Sequence, residues 1–294
     1  MVIKMENNYK DAIVIADICC NHMGDFNYAK KMIKEAKEHG VDIVKFQKRD
    51  IQTWVNRKPE LYNAPHPNPI NSFGKTYKEH REFLEFSIEQ QKELRDYCKK
   101  LGLLYSISAF DLESAKQIIS IQPDVAKIPS ASNMNYELID YLCDNFDGEI
   151  HISFGMLNKE EVEKIIEYFC QKKRNEDLVI YACTSGYPVM PEDTCILEVA
   201  DLKNKYNDKV KGIGFSGHHL NTAIDIGAYV LGAQYFERHF TLDRNLKGTD
   251  HKLSLLPDEF KKLKYDLADV KKSLTYKPDG LLAIEKKERT KLKW

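Results

Sequence analysis

Two lysines carry the most chemistry in this chain. Lys45 in "VKFQ" and Lys127 in "AKIPS" alternate with apolar neighbours inside short strand-like runs. A buried ammonium is costly unless it meets a carboxylate or an anionic ligand. Hydroxyls end other runs of the same kind: Ser130, Ser153, Thr184, Ser185 and Ser216. Lysines and hydroxyls together suit a phosphate or carboxylate group of a substrate. A structural pair with Glu237 or Asp17 is the alternative, and a Schiff-base lysine is a third, detectable by borohydride trapping with a carbonyl substrate. His218 in "FSGHH" and His239 in "FERHF" end consecutive runs. Adjacent strands lie about 4.8 Å apart, so two neutral imidazoles there could share one divalent ion and leave positions open for substrate. Hydrogen-bonded rim histidines are the other reading.

The stretch "ICCNHMGD", Ile18–Asp25, offers thiols, an amide and an imidazole in one turn. Adjacent cysteines cannot easily bridge, and strand alternation puts one inside and one against a helix, so Cys19 and Cys20 read as core. Asn21 and His22 read as residues that shape the loop. The chain has seven cysteines, none in a C-x-x-C pair, which argues against a disulfide framework or a zinc knuckle.

Eight strand-like runs must position these groups: "AIVIADICC", "VDIVKFQ", "LLYSISAF", "VAKIPS", "EIHISFG", "LVIYACTS", "KGIGFSG" and "AQYFERHFT". Between them lie stretches of helical period, such as Ala29/Met32/Ile33/Ala36 and Val162/Ile165/Ile166/Phe169. Asn158 with Glu161 has the spacing of a capping box, and Pro257 suits a first helical turn. Alternation of strand and helix implies parallel strands, and eight units predict an α/β fold, a single-domain (β/α)8 TIM barrel. The alternative, an open doubly wound sheet, lacks the expected G-x-G-x-x-G. Chemistry in such barrels sits at the C-terminal strand ends. The connection over residues 48–81 carries Pro59, Pro65, Pro67 and Pro69 and reads as a lid or binding loop. Lys and Arg total 44 against 45 Asp and Glu, so no charge bias points to nucleic acid or an anionic membrane. Apolar runs are too short to span a bilayer, and a polar N-terminus predicts a cytoplasmic protein.

In order and spacing, "NHMGD", "VKFQ", "SFGKTYKEHREFLEFS", "AKIPS", "ISFGM", "CTSGYP", "GFSGHH" and "ERHFTLDRNLKGTDHKLSLLP" resemble the sialic acid synthase family over roughly residues 12–290. "SFGKTYKEH", "CTSGYP" and "KGTDH" resemble the animal-type 9-phosphate synthases more than the simplest bacterial forms. The resemblance implies condensation of phosphoenolpyruvate with N-acetylmannosamine, its 6-phosphate or a related aldose. It implies a divalent metal on His218 and His239, manganese before magnesium, cobalt or zinc. Phosphoenolpyruvate would meet Lys45, Lys127, Ser130, Ser153, Ser185 and Ser216. The sugar would meet Gln47, Tyr187 and Asp250, with Glu237 near the metal and Asn21, Thr184 and Lys75 adding contacts. A homodimer is the expected assembly. The implied layout is an extension over 1–11, a barrel over 12–275 and a tail over 276–294 where relatives carry an antifreeze-like domain. Two positions depart from the family pattern: Ser132 stands where an acid is usual, and Met23 where a polar residue is usual. The expected activity is a metal-dependent 3-deoxy-2-ketoaldonate synthase. A Schiff-base aldolase using Lys127, or a degenerate synthase that senses sugar or phosphate, are the alternatives.

Overall fold

A computed structural model describes residues 9–294 of the chain. Eight strands close a parallel barrel in sequence order: β1 (Ile13–Asp17), β2 (Ile43–Lys48), β3 (Leu104–Ala109), β4 (Val125–Ile128), β5 (Glu149–Ser153), β6 (Leu178–Cys183), β7 (Gly212–Gly217) and β8 (Tyr235–His239). All eight expected runs contain a strand, and the closed barrel replaces the open-sheet alternative. The first strand ends earlier than its apolar run suggests. β1 stops at Asp17, and Cys19 already has φ 49°.

Helices α1 (Phe26–Glu38), α5 (Ile88–Lys100), α6 (Leu112–Ser120), α7 (Tyr136–Asn145), α8 (Lys159–Gln171), α9 (Leu197–Tyr206), α10 (Ala223–Leu231) and α11 (Pro257–Ser273) cover the barrel. The helical period buries Ala29, Met32, Ile33 and Ala36 in α1, and Ile165, Ile166 and Phe169 in α8. Asn158 and Glu161 form the expected capping box, and Pro257 opens α11. The outer core lies between strands and helices. A second, inner layer fills the barrel floor with Ile15, Ile43, Val125, Val179, Tyr181 and Tyr235.

The 48–81 connection is folded rather than open. It holds α2 (Ile51–Arg57), α3 (Pro59–Asn63) and α4 (Tyr77–Leu84), closed by a bridge between Pro65 and Thr76. Trp54, Tyr62 and Phe110 make its own small core, and Trp54 Nε1 donates to Asp111 Oδ2 at 3.0 Å. The tail forms α12 (Ala283–Leu292), none of whose residues is buried. Residues 1–8 of the expected extension lie outside the described residues. No helix among the described residues is long and apolar enough to cross a membrane.

Candidate active site

Strand register sets the chemistry level by level. Asp17 pairs in register with Lys45 on one side and His239 on the other, and Ser216 pairs with Glu237. Interior side chains in register point the same way, so one carboxylate level meets one lysine level above the apolar floor. Lys45 Nζ lies 2.9 Å from Asp17 Oδ2 and 2.8 Å from Glu237 Oε1. Lys127 Nζ is 3.3 Å from Glu237 Oε2, and Ser216 Oγ donates to Glu237 Oε1 at 3.1 Å. The lysines therefore take up the Glu237 and Asp17 pairing that was one of the sequence alternatives. That pairing is incomplete at Lys127. Its Nζ and Glu237 Oε2 are buried without a hydrogen-bond partner, and the ammonium sits 3.5 Å over the Tyr181 ring.

Burial pulls Lys127 down to about 8, with Glu237 opposing. Burial acts on Lys45 too, but Asp17 and Glu237 outweigh it and hold that amine above the usual lysine range. Burial would raise the Glu237 carboxyl, yet Lys127 and Lys45 hold it well below the usual carboxylate range. Two charges of each sign thus share one dry level, and Lys127 retains unspent N–H donors.

These groups open into a cavity of about 490 Å³ at the C-terminal mouth of the barrel. Lys45, Gln47, Lys127, Ser130, Ser153, Ser185, Tyr187, Ser216, His218, Glu237, His239 and Asp250 all line it. Beside Lys127, Ser130 Oγ accepts from Gly155 N at 3.1 Å, and Ser185 Oγ is buried without a partner. A Cβ on Gly155 would lie 2.3 Å from Ser185 Oγ and 2.6 Å from Ser130 Oγ. Only glycine allows that approach, which leaves a cradle of small donors of the kind that receives an anion.

Three expected site residues stand elsewhere. Asn21 Nδ2 donates to Phe240 O and Ser254 Oγ, both at 2.9 Å, and so ties the β1 loop to the chain beyond β8. Thr184 lines a neighbouring cavity with α8 and α9, and its carbonyl binds His218 Nδ1 at 2.9 Å. Lys75 lies before α4, where its N–H donates to Glu79 Oε2, while Tyr77 and Arg81 from the same segment reach the cavity wall. Met23 is not among the lining residues. Ser132 turns away, donating to Phe110 O at 2.7 Å.

The cysteines also need correction. Both are partly exposed rather than core, because β1 ends before them. Cys19 lines the cavity and donates to Gln47 Oε1 at 3.2 Å, and Gln47 Nε2 donates to Cys20 Sγ at 2.8 Å. One donor atom each from Asp17, Cys19 and His239 lies within 4.8 Å of the other two, a group that could hold a metal ion. His239 Nδ1 and Asp17 Oδ1 are buried without partners, which fits a cation-binding role. The His218 ring lies 5.5 Å from the His239 ring, and its Nδ1 meets the Thr184 carbonyl at 2.9 Å. Imidazole, carboxylate and thiol together suit a divalent transition ion.

Ser108, at the end of the third strand, lines the cavity, and Arg49, Phe110, Tyr77 and Met156 also line it and were not singled out in the sequence. Arg49 had a signal: it continues the two-residue alternation of Lys45 and Gln47.

Buried lysines, carboxylates and metal-type donors at the mouth of a closed parallel barrel define a barrel enzyme of anionic substrates. Residues 32–278 match the NeuB family model, and the chain belongs to the NeuB family. It is 34% identical over 274 residues to the N-acetylneuraminate-9-phosphate synthase of Mus musculus, covering 92% of this chain and 74% of that protein. It is 30% identical over 281 residues to the N,N'-diacetyllegionaminic acid synthase of Campylobacter jejuni, covering 95% of this chain and 81% of that protein. Among solved structures it resembles the N-acetylneuraminic acid synthetase of Leptospira borgpetersenii in complex with citrate. That match has a TM-score of 0.81 at 26% identity and covers 96% of this chain and 93% of that one.

Proposed function

We propose that this protein condenses phosphoenolpyruvate with a mannose-type aldose, N-acetylmannosamine or its 6-phosphate, giving a 3-deoxy-2-ketoaldonate of the nonulosonate class and phosphate. The observation that carries this reading is the Ser130–Gly155–Ser185 cradle with Lys127 on the same cavity, where Ser185 Oγ and Lys127 Nζ have no partner. In the reaction the methylene carbon of the enolpyruvate forms a bond to the aldehyde carbon, whose oxygen takes a proton. Water adds to the neighbouring carbon of the enol phosphate and gives that proton, and its second proton leaves with phosphate as the carbon–oxygen bond breaks and the ketone forms. Lys45 and Lys127 neutralise the phosphate and carboxylate while positive charge builds between them. Ser130, Ser153, Ser185 and Ser216 orient the enolpyruvate, and Gln47, Tyr187 and Asp250 orient the sugar.

A divalent ion on Asp17, Cys19 and His239, with His218 beside them, would supply Lewis-acid polarisation of the aldehyde. Manganese is the ion proposed first, with magnesium, cobalt and zinc as alternatives. The protein is further proposed to be cytoplasmic and a homodimer, the latter checked by light scattering. Phosphate release should require phosphoenolpyruvate, an aldose and the metal together. Absence of release across a panel of mannose-type aldoses would overturn the reading. The lowered Lys127 is also compatible with Schiff-base chemistry, so borohydride with a carbonyl substrate serves as the control: covalent trapping on Lys127 would favour an aldolase.

A further inference from the structure

Arg49 is a guanidinium inside the cavity with no acid of its own. Among the described residues no carboxylate oxygen lies within 4 Å of its side chain, and its Nε is buried without a hydrogen-bond partner. Its group lies 3.7 Å over the Phe110 ring and 5.8 Å from Trp54, and its charge acts on the buried Tyr62 hydroxyl. These rings belong to the small core of the 48–81 connection, and Trp54 is anchored by Asp111. The guanidinium is therefore held in one orientation before any ligand arrives.

Arg81 of α4 lines the same cavity. Its side chain is 9% exposed, and its Nε and Nη2 lack hydrogen-bond partners. Its nearest acid is Glu85 at 3.8 Å, whose other oxygen already meets Lys48 Nζ and the Arg49 N–H. Two cations, Lys48 and Arg81, and the Arg49 backbone amide thus share Glu85, with Asp250 as the other nearby carboxylate on the cavity wall. Along the β2 direction Lys45, Gln47 and Arg49 alternate, so the Arg49 backbone stands about 13 Å beyond that of Lys45, nearer the cavity mouth.

We propose that Arg49, supported by Arg81, forms a second anion subsite that reads a phosphate monoester on the acceptor sugar. The inference rests on the synthase reading above and adds which residues select the acceptor. A planar guanidinium fork binds phosphate in bidentate fashion, and such charge-assisted contacts are worth about 10- to 100-fold in binding.

The test compares N-acetylmannosamine with its 6-phosphate on the full chain, in wild type, Arg49→Gln and Arg49→Lys, with melting curves to confirm folding. The wild type should favour the 6-phosphate by about 10- to 100-fold in kcat/KM. Arg49→Gln should lose most of that preference through KM for the sugar, and Arg49→Lys should keep part of it. If Arg49→Gln fails to fold, the partial loss in Arg49→Lys carries the test. Equal use of both sugars by wild type, a preference that survives the substitutions, or a rise in KM for phosphoenolpyruvate alone would overturn the proposal. If neither sugar releases phosphate, the synthase reading fails, and calorimetry with the two sugars decides the subsite by itself. Tighter binding of the 6-phosphate that is lost in Arg49→Gln supports it; equal binding or none overturns it.

Discussion

Glu237→Gln removes one charge from the buried level that holds both lysines while preserving side-chain volume. In the wild type Asp17 and Glu237 balance Lys45 and Lys127, all four almost wholly buried. The substitution leaves that level one positive charge in excess. Losing one partner of a buried ion pair costs about 3–5 kcal/mol. For a chain of this size that lowers the melting temperature by about 5–8 °C. Lys127, already at about 8 with Glu237 as its main support, falls further. Its folded pKa then lies well below that of an unfolded lysine, so the penalty is full at low pH and shrinks as pH rises through the folded value. Melting followed by circular dichroism at pH 6 and pH 9 should show the larger deficit at pH 6. Added phosphoenolpyruvate should stabilise the variant more than the wild type, because an anion replaces the missing carboxylate. A variant that melts within about 2 °C of wild type, with no extra gain from the ligand, would refute the charge-balance argument.

Other perturbations probe the remaining parts. His239→Ala and Cys19→Ala should each weaken manganese or zinc binding by about 10-fold or more in calorimetry; unchanged binding in either variant would remove that residue from the donor set. The kcat/KM for phosphoenolpyruvate should fall as pH rises through about 8, where Lys127 loses its charge, and Lys127→Arg should abolish that limb; a limb that persists in the variant belongs to another group. Gly155→Ala should abolish tight phosphoenolpyruvate binding while the protein still folds, since its Cβ would occupy the space between Ser185 and Ser130. Retention of wild-type KM would show that the anion sits elsewhere.

Much of the barrel was legible because each strand is a short apolar run and each helix a period-3.6 stretch, two signals that need no tertiary information. Strand ends were less legible. The run "AIVIADICC" stays apolar past the point where the backbone turns, so Cys19 and Cys20 read as core although β1 stops at Asp17. That shift brings Cys19 beside Asp17 and His239, which spacing alone does not place together. Lys45, Lys127 and Glu237 were visible from alternation, but the sharing of one carboxylate by two lysines depends on register across strands. Asn21, Thr184 and Lys75 lie next to site residues in sequence yet face other directions, since a loop side chain obeys no period. Arg49 did follow the alternation of β2, one step beyond the strand.

The most direct measurement runs the wild-type reaction in 18O-labelled water, with mass detection of every product from phosphoenolpyruvate, N-acetylmannosamine or its 6-phosphate, and manganese. A condensing synthase gives a keto acid whose mass equals both substrates plus water less phosphoric acid, together with unlabelled phosphate, because the carbon–oxygen bond breaks. Pyruvate with labelled phosphate and an unchanged sugar would contradict it, since that outcome is simple hydrolysis at phosphorus.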